Sequence, residues 1–327
     1  MRAVVIEKYG NPEVLQLQEI ADPEPDRGEV RVRVHASALN RADIDQRKGN
    51  YPPPIAAEHE IPGLEFSGVV DQLGAEVRQW NVGDRVFGLL SAGGYAEQVV
   101  THERMLMPIP ANLSFEQAAA IPEVFLTAYD ALLDKASFQA GDRVLIHAGA
   151  SGVGTAAIQL ARVMGASLIF ATSRSEWKLE KCRSLGATHA IHAEAEFDKV
   201  VLDATASSGV DIILDFVGAD YLKQNLNAAA LEGRIVQIAM LSGASAEIDL
   251  GQVLSKRLRL QGTTLRSRPI EQKMALTQTF AKQILPFFAE GRLSSILDRS
   301  FPLQEVAEAH RYMENNHNVG KIILQLE

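Results

Sequence analysis

A glycine-rich segment with the sequence IHAGASGVGTAAIQLAR occupies residues 146–162. Apolar residues before the glycines predict a buried strand, Arg143–Ala148, and those after them predict an amphipathic helix, Val153–Met164. A glycine turn between a strand and a helix points free backbone N–H groups and the positive end of the helix at a bound phosphate. The alternative is a glycine turn in an ordinary α/β sheet. Because a strand precedes the turn and a helix follows it, the pattern favours a dinucleotide site.

The residues of the predicted phosphate cradle are Gly149, Ser151, Gly152, Val153 and Gly154. Their spacing matches the pattern G-x-G-x-x-G except that Ser151 holds the middle position. We expect Gly149 to permit the tight turn and Gly154 to allow close packing of the helix on the strand. Gly152 would leave room for the phosphates, and the Ser151 hydroxyl would add a hydrogen bond.

The next predicted strand, Leu168–Thr172, distinguishes between the two nicotinamide dinucleotides. In a site that prefers NADH, Asp or Glu near the end of this strand binds the ribose 2′-OH. Here Ser173 and Arg174 follow the strand, and Lys178 lies one turn into the next predicted helix, Glu176–Leu185. Hydroxyl and cationic side chains suit a 2′-phosphate. The alternative is a solvated basic helix start, but the helix dipole disfavours cations there. The sequence therefore predicts NADPH.

Composition narrows the class of protein. The chain has 327 residues, 46% of them hydrophobic, and a net charge of −9. A prior of about 150 residues per domain suggests two domains. No apolar run of the ~18 residues that a membrane span needs is present, and MRAVVIEKYG lacks the pattern of a signal peptide. The negative charge argues against nucleic acid or an anionic membrane as the main partner. We expect a cytoplasmic protein that handles a small molecule.

The chain offers few metal ligands. Cys182 is the only cysteine, so neither an internal disulfide nor a thiolate cage for zinc can form within the chain. A single cysteine also fits a reducing compartment. The histidines are scattered, and His59 has no second histidine at helical spacing. Structural roles are the better interpretation for these residues, and the sequence predicts no metal.

The predicted elements fall into two groups. The first third is β-rich, and Glu29–Ala38 alternates polar and apolar residues as a half-buried strand does. From about Phe115 the pattern changes to alternating strands and helices, which is typical of a parallel sheet covered on both faces. The remaining predicted elements are the strands Val69–Val70, Arg85–Phe87, Glu97–Val100, Asp211–Val217, Arg234–Ala239, Leu297–Phe301 and Lys321–Gln325, a helix Gln117–Leu133 with a boundary or kink at Pro122, a helix Ala219–Ala230, a long helix after Ile270 that reaches about Ala289, and a helix Leu303–Asn315.

Several segments resemble the medium-chain dehydrogenase/reductase superfamily. The glycine-rich segment is similar to its quinone oxidoreductase (zeta-crystallin-like) branch. The segments SALNRADIDQRKGNYPPP, PIPANLSFEQAAAIPEVFLTAY, TLRSR and NVGKIILQLE are similar to the p53-inducible quinone oxidoreductase group. The resemblance implies an α/β fold with a GroES-like β-rich domain, residues 1–122 completed by 267–327, and a doubly wound Rossmann domain, residues 123–266. NADPH would lie in the cleft between them, and the enzyme would be a homodimer or homotetramer.

The chain departs from the zinc alcohol dehydrogenases of this superfamily. Where they have a zinc-binding cysteine it has Asn40, and where they have the next ligand, a histidine, it has Leu64. The four-cysteine lobe that binds structural zinc is also missing. Zinc held by Asp43, Glu65 and a histidine is a disfavoured alternative. The resemblance therefore implies a zinc-free member.

By the same resemblance, Asn40 and Tyr51 are the catalytic residues. Without zinc as a Lewis acid, hydrogen-bond donors must stabilise the charge that develops on the acceptor oxygen. Quinones suit such a site because their reduction restores aromaticity and leaves a weakly basic oxygen. We expect Tyr51 to donate a hydrogen bond to the quinone and Asn40 to orient water or substrate. Packing of a proline-rich loop is the alternative role for Tyr51.

Two further functions stay open. A reductase of activated C=C bonds, in an enone or enoyl thioester, would use the same hydride and the same fold. A low-turnover NADPH-binding sensor would keep the phosphate cradle without an acceptor pocket. The sequence alone does not distinguish among these three functions.

Additional cofactor contacts follow from the resemblance. They are assigned to Thr127, Phe216, Val217, Gly218, Ala239, Met240, Leu241, Leu265, Arg266 and Asn318. The family often has a tyrosine near the 2′-phosphate in a segment where this chain has Ile191–Ala193, and His192 is the candidate replacement. The segment Arg257–Leu265 alternates as a strand, and we expect it to be buried with one unpaired edge. Pairing of that edge with its copy across a two-fold axis would give the dimer.

Overall fold

The structure, a computed structural model, describes residues 1–54 and 57–326 and divides into two compact units. The first unit comprises Met1–Leu126 and Leu265–Glu327, and the second comprises Thr127–Thr264. The predicted boundary at residue 122 therefore lies four residues before the observed one, because the helix that begins at Pro122 starts in the first unit.

The strands and helices are numbered in chain order. The strands are β1 (Arg2–Ile6), β2 (Leu15–Glu19), β3 (Glu29–Ala38), β4 (Glu65–Leu73), β5 (Arg85–Leu89), β6 (Gln98–His102), β7 (Leu106–Pro108), β8 (Arg143–Ile146), β9 (Leu168–Ser173), β10 (His189–His192), β11 (Val210–Asp215), β12 (Ala229–Gln237), β13 (Arg259–Gly262), β14 (Leu297–Pro302) and β15 (Lys321–Gln325). The α-helices are α1 (Arg41–Arg47), α2 (Phe115–Ala119), α3 (Pro122–Tyr129), α4 (Gly152–Val163), α5 (Glu176–Leu185), α6 (Phe197–Ala204), α7 (Leu222–Ala228), α8 (Leu250–Lys256), α9 (Ile270–Gln283), α10 (Leu285–Ala289) and α11 (Val306–Glu314).

The second unit is built on a six-stranded sheet in the order β10-β9-β8-β11-β12-β13, and every neighbouring pair is parallel. This is the strand order of a doubly wound nucleotide-binding sheet, in which the chain changes direction across the sheet at its first strand. Here that strand is β8, and Val144, Leu145 and Ile146 are fully buried in it. The predicted Rossmann architecture is confirmed.

The first unit is a β-rich structure. Its main sheet has the order β14-β15-β3-β4-β5-β7, with β6 also paired to β3, and β1 and β2 form a separate antiparallel pair. The alternation predicted for β3 is visible in its burial, because Val30, Val32 and Val34 point into the core. Strand β15 pairs with β3, so the C-terminal segment completes this unit as the resemblance implied.

Prolines explain where two predicted helices are interrupted. The predicted helix Gln117–Leu133 is divided into α2, α3 and a π-helical turn, with Pro122 at the first position of α3. The predicted long helix that reaches about Ala289 ends at Gln283 and restarts as α10, whose first turn contains Pro286. A proline fits a first turn because no intrahelical bond is required of its nitrogen.

The edge strand of the parallel sheet is exposed, whereas the sequence predicted that it is buried. The segment Arg257–Leu265 was expected to be buried, but every residue of β13 is exposed. The reason is its position: β13 is the outermost strand and pairs only with β12. The described residues contain no helix that is long and apolar enough to cross a membrane.

Candidate functional site

The predicted phosphate cradle lies where β8 leads into α4. Ser151 is the N-cap of α4, and its hydroxyl oxygen accepts a hydrogen bond from the Gly154 N–H at 3.0 Å. The hydroxyl keeps its own hydrogen as a donor. Ser151, Gly152 and Val153 are partly exposed, and the first turn contains no acidic residue. These features suit a pyrophosphate at the helix N-terminus.

Two glycines of this loop are required for reasons of space. A Cβ on Gly154 would lie 2.4 Å from the carbonyl oxygen of Ala148. A Cβ on Gly149 would lie 2.9 Å from the Cβ of Ala171 and 3.0 Å from the Sγ of Cys182. The left-handed residue of the turn is Ala148, with φ of 47°. Gly149 therefore allows β9 and α5 to pack against the loop, and the turn itself is made by its neighbour.

The end of β9 brings together three residues predicted to bind a 2′-phosphate. His192 of β10 lies opposite Ser173 of β9, and a ring nitrogen of His192 is 3.0 Å from the carbonyl oxygen of Arg174. The side chain of Arg174 is exposed. Lys178 is placed differently, because its ammonium lies 5.2 Å from the centre of the Trp177 ring. Ser173, Arg174 and His192 thus form one polar group, and Lys178 packs on the neighbouring tryptophan.

A buried network of hydrogen bonds fixes the loop after β11. One carboxylate oxygen of Asp215 accepts from the N–H groups of Val217 at 2.6 Å and Gly218 at 3.0 Å. Its other oxygen accepts from the Asn225 amide at 3.0 Å, and the amide oxygen of Asn225 is 2.7 Å from Nε2 of His147. Burial lowers the pKa of His147. Because the Asn225 amide nitrogen donates to Asp215, its oxygen is the acceptor that faces Nε2 of His147. This network holds Val217 and Gly218, two of the predicted cofactor residues, in place, and it gives His147 a structural role.

The loops after β11 and β12 meet at the same edge of the sheet. The Leu241 N–H donates to the carbonyl oxygen of Phe216 at 3.2 Å, and Gly218 pairs with Gly243. Met240 and Leu241 are exposed. The structure therefore brings together the predicted segments 216–218 and 239–241. Thr127, the first residue of this unit, is buried.

In the first unit, Asn40 is bound through each of its polar side-chain atoms. Its amide nitrogen donates to Glu65 at 2.9 Å and to the carbonyl oxygen of Ala38 at 3.3 Å. Its amide oxygen accepts from the Lys321 ammonium at 2.6 Å. Both amide hydrogens are thus in use, and the Asn40 side chain also takes part in the capping box of α1 with Asp43. The predicted contact of Asn40 with water or substrate stays a prediction.

Lys321 and Glu65 form a buried ion pair beside Asn40. The ammonium lies 2.7 Å from Glu65 and 2.5 Å from the carbonyl oxygen of Leu39, and neither charged side chain is more than 4% exposed. Leu64, the other residue predicted to stand where zinc enzymes have a ligand, is buried. Within residues 1–54 and 57–326, no group of three or more His, Cys, Asp or Glu side chains is arranged to hold a metal ion. The zinc-free assignment stays a prediction.

Asp43 holds the start of α1. Its carboxylate accepts from the backbone N–H groups of Asn40 at 2.7 Å and Gly63 at 3.2 Å, and from the Tyr95 hydroxyl at 2.9 Å. The side chain is fully buried, and burial raises the pKa of Asp43 to about 6. Asp43 therefore fixes the backbone from which the Asn40 side chain extends.

Glu123 is the second residue of α3 and lies next to Glu65. Its backbone N–H donates to Glu65 at 2.7 Å. Burial, followed by the charge of Glu65, raises the pKa of Glu123 to about 8, although Lys321 acts in the opposite direction. At neutral pH the Glu123 carboxyl is therefore mostly protonated.

Tyr51 is held by Arg266. The guanidinium carbon lies 4.8 Å from the centre of the Tyr51 ring, and the guanidinium donates to the Tyr51 carbonyl oxygen at 2.7 Å. It also donates to the Ser91 carbonyl oxygen at 2.7 Å and to the side chain of Gln46. Arg266 is 5% exposed. Its observed partners are in the first unit, so its predicted contact with the cofactor stays a prediction.

The predicted cofactor contacts of Leu265 and Asn318 stay predictions. Leu265 is buried, and the amide of Asn318 donates to the carbonyl oxygen of Gly320 at 3.1 Å. Sequence reasoning did not single out Lys321, Glu123 or Asp215. A signal existed for Lys321, a cation at the start of the apolar run KIIL, and for Glu123, which directly follows a helix-initiating proline.

Comparison with known proteins places the chain in a family. A family model described as zinc-binding dehydrogenase matches residues 152–282, and one described as the alcohol dehydrogenase GroES-like domain matches residues 26–111. The quinone oxidoreductase of Homo sapiens is 31% identical over 331 residues, which cover 100% of this chain and 98% of the relative.

Solved structures agree with this match. The quinone oxidoreductase of Pseudomonas syringae pv. Tomato DC3000 has a TM-score of 0.86 and 29% identity, with 99% of each chain covered. CurK enoyl reductase has a TM-score of 0.88 and 31% identity, with 100% of this chain and 99% of that chain covered. The resemblance to the quinone oxidoreductase branch is confirmed. The chain therefore belongs to the medium-chain dehydrogenase/reductase superfamily, in its quinone oxidoreductase branch, and is an oxidoreductase of this pyridine nucleotide-dependent family.

Proposed function

We propose that the chain is an NADPH-dependent oxidoreductase that reduces a quinone-like carbonyl acceptor without zinc. The observation that supports NADPH is the exposed Arg174 beside Ser173 and His192 at the end of β9. A guanidinium can bind a 2′-phosphate through two parallel hydrogen bonds. No carboxylate occupies the end of β9, where an NADH site has one to bind the ribose.

The second unit binds and orients the cofactor. The N–H groups of the first turn of α4 and the Ser151 hydroxyl bind the pyrophosphate. Gly154 lets the start of α4 pack closely on the backbone of Ala148 and Gly149. The Ser173 hydroxyl and the Arg174 guanidinium bind the 2′-phosphate. When bound, NADPH supplies the hydride.

The first unit supplies the polar groups for the acceptor. The Tyr51 hydroxyl donates to the acceptor oxygen, where negative charge develops. Asn40 accepts a hydrogen bond through its amide oxygen, and the Lys321 ammonium holds that oxygen in one position. Arg266 holds the Tyr51 loop through its bond to the Tyr51 carbonyl. The names of the relatives, quinone oxidoreductases, support a quinone as the acceptor.

Reduction of activated C=C bonds is the second candidate. It is favoured by the protonated carboxyl of Glu123, because such a reduction needs a proton on carbon, and by the likeness to CurK enoyl reductase. A low-turnover NADPH-binding sensor is the third candidate. We further propose a cytoplasmic location, which the single, buried Cys182 supports.

One experiment separates these functions. Affinities for NADPH and NADH are measured by fluorescence titration, and NADPH oxidation is then followed with a panel of quinones and enones. We expect NADPH to bind more tightly than NADH and quinones to support turnover. Tight NADPH binding with no oxidation by any acceptor would establish the sensor instead. Equal affinity for NADH would contradict the assignment of the 2′-phosphate site.

A further inference from the structure

Within residues 1–54 and 57–326, the carboxyl of Glu123 has no partner. Among the described residues it makes no hydrogen bond or ion pair, and only the backbone N–H of this residue is bound, to Glu65. The side chain is not sealed off, because the residue is partly exposed. A glutamate that is surrounded by charged residues and yet unpaired is available to a bound molecule.

Charged groups from several elements surround Glu123. They are Glu65 on β4, Asp43 on α1, Lys321 on β15, Arg266, and Lys273 on α9. The Lys273 ammonium is bound to the Ser91 hydroxyl at 2.5 Å, and burial lowers the pKa of Lys273.

Two of these neighbours connect Glu123 to the proposed acceptor residues. Glu65 accepts from both the Glu123 N–H and the Asn40 amide. Arg266, whose charge acts on Glu123, packs on the Tyr51 ring. Glu123 therefore belongs to the same polar cluster as the two predicted catalytic side chains.

The same surroundings determine the charge of Glu123. Burial disfavours the carboxylate, and the Glu65 carboxylate beside it disfavours a second negative charge. Lys321 and Arg266 oppose this only in part, and the pKa of Glu123 stays at about 8. A carboxyl with such a pKa holds a proton at neutral pH and can release it when a stronger base forms nearby.

We propose that Glu123 is a catalytic acid that protonates the acceptor after hydride transfer, and that it equips the chain to reduce activated C=C bonds. The inference rests on the proposed function in one respect, the delivery of hydride by a nicotinamide cofactor. It adds the source of the proton and a class of acceptor that needs it.

The step balances in atoms and electrons. Hydride adds to the β carbon of an enone, the C=C π bond breaks, and its electron pair passes into an enolate. The O–H bond of Glu123 then breaks as a C–H bond forms at the α carbon, and Glu123 is left as a carboxylate. Water returns the proton to Glu123. The enone is reduced by two electrons, and the cofactor is oxidised by two.

A quinone makes a smaller demand on Glu123. Its reduction leaves the charge on a weakly basic oxygen, which takes a proton from water without help. An enolate must be protonated on carbon, which is slower and benefits from a positioned acid. Loss of the acid should therefore separate the two acceptor classes.

The test compares the wild type with Glu123→Gln, which keeps the shape and loses the acidic proton. The probes are 2-methylcyclohexenone and naphthoquinone. With the enone we expect turnover to fall about 100-fold, since a positioned acid contributes about 10²–10⁴. The alkaline decrease of the wild-type rate near the pKa of Glu123 should also disappear. The rate with naphthoquinone should fall much less than the rate with the enone, because the quinone needs no proton on carbon. Glu116→Gln on α2 is the matched control and should behave as the wild type.

The product of the enone gives a readout that a merely structural role would not change. The α carbon becomes a stereocentre, so a fixed acid gives one enantiomer in excess, whereas protonation by water in Glu123→Gln gives a mixture. Equal rates and equal enantiomeric composition in the two proteins would overturn the inference. A wild type that reduces naphthoquinone but not the enone would overturn it while leaving the proposed function intact. A wild type that oxidises NADPH with neither probe would overturn both.

A second measurement needs no folded variant. The carbonyl stretch of a protonated carboxylic acid is followed in the infrared spectrum of the wild type as the pH is raised through neutrality. One buried acid, Glu123 with its pKa of about 8, should lose its proton near pH 8. Complete ionisation of all carboxyls below neutral pH would contradict the inference.

Discussion

The Lys321 ammonium lies 2.6 Å from the amide oxygen of Asn40. The same ammonium neutralises the buried Glu65 at 2.7 Å. A buried charge is tolerated only when it is paired and hydrogen-bonded, so Lys321 and Glu65 stabilise each other. A fixed cation inside the protein thus orients the Asn40 amide.

This arrangement leads us to expect a protein without zinc. Elemental analysis of the purified protein should find well under one zinc per chain, and NADPH oxidation should survive a strong chelator. The physical reason is the chemistry of the side chains, because an amide oxygen that binds an ammonium and the aliphatic Leu64 offer no thiolate or imidazole ligand. Stoichiometric zinc that is lost together with activity would refute the prediction.

Charge reversal at the end of β9 should change the cofactor preference. Arg174→Glu removes a donor to the 2′-phosphate and adds a like charge. We expect the NADPH affinity to fall about 10- to 150-fold, since a hydrogen bond to a charged group contributes about 1.5–3 kcal/mol. The affinity for NADH should change little. Fluorescence titration of both cofactors measures the difference.

Arg183→Glu provides the matched control for this prediction. It carries the same change in charge and lies in the last turn of α5, whereas Arg174 directly precedes the N-cap residue Ser175 at the other end of that helix. An equal loss of NADPH affinity in both variants would indicate a general charge effect and would contradict a specific phosphate site at Arg174.

The raised pKa of Glu123 also predicts how stability depends on pH. The pKa of this carboxyl is about 8 in the folded chain against 4.5 as its ordinary value. The proton is therefore held more tightly in the folded state, and its contribution to stability is present below about pH 4.5 and lost as the pH rises through about 8. Glu123→Gln should gain stability relative to the wild type over this window.

The size of this gain can be estimated. The full shift corresponds to about 5 kcal/mol at about 1.4 kcal/mol per pKa unit, and solvent contact of the partly exposed carboxyl reduces our expectation to about 1–3 kcal/mol. Urea unfolding of both proteins across the pH range measures the difference. In Glu116→Gln the trend should be opposite, because the pKa of Glu116 is lowered by hydrogen bonds. A difference for Glu123→Gln that does not vary with pH would show that its pKa is ordinary.

Local patterns were enough to predict the strand, glycine turn and helix of the proposed phosphate cradle and most of the parallel sheet. Helix α5 has its predicted bounds, Glu176–Leu185, and β15 has those predicted for Lys321–Gln325. The cradle could be predicted because a strand, a glycine turn and a helix are adjacent in the chain, and their residue types report directly on backbone geometry.

The polar cluster of the first unit could not be predicted in this way. Asn40 and Lys321 are 281 positions apart, so their contact depends on the pairing of β15 with β3 and has no local pattern. The raised pKa of Glu123 likewise arises from burial in the folded unit and then from the charge of Glu65, a residue 58 positions away. The turn role predicted for Gly149 was wrong for a similar reason, since the packing of Cys182 against Gly149 joins two separate elements.

The exposed edge strand predicts self-association. Strand β13 pairs with β12 on one side only, and Leu254 and Leu260 nearby are exposed. We propose that β13 pairs with its copy across a two-fold axis and so extends the sheet into a homodimer, with a homotetramer as the alternative. Leu260→Lys should weaken the assembly in light scattering. Lys282→Glu, on a helix of the other unit, is the control, and a wild-type monomer at micromolar concentration would contradict the proposal.

The Tyr51 hydroxyl should have a moderate effect on turnover. One neutral hydrogen bond to the developing charge on a quinone oxygen contributes about 1–3 kcal/mol, which is a factor of about 5 to 150 in rate. Tyr51→Phe keeps the ring on which Arg266 packs and removes only the hydroxyl. We therefore expect turnover with quinones to fall by roughly one order of magnitude, and NADPH binding to stay almost unchanged.

A less activated acceptor needs more help at its oxygen, so Tyr51→Phe should slow an enone more than a quinone. Stopped-flow measurement of NADPH oxidation with both acceptors, for both proteins, decides this. Tyr312→Phe is the matched control, since its hydroxyl donates to Asp298 at 2.8 Å and has no proposed role in the reaction. If Tyr51→Phe and the wild type react at equal rates with every acceptor, Tyr51 only packs the loop, and the donor to the acceptor oxygen must be sought among its neighbours.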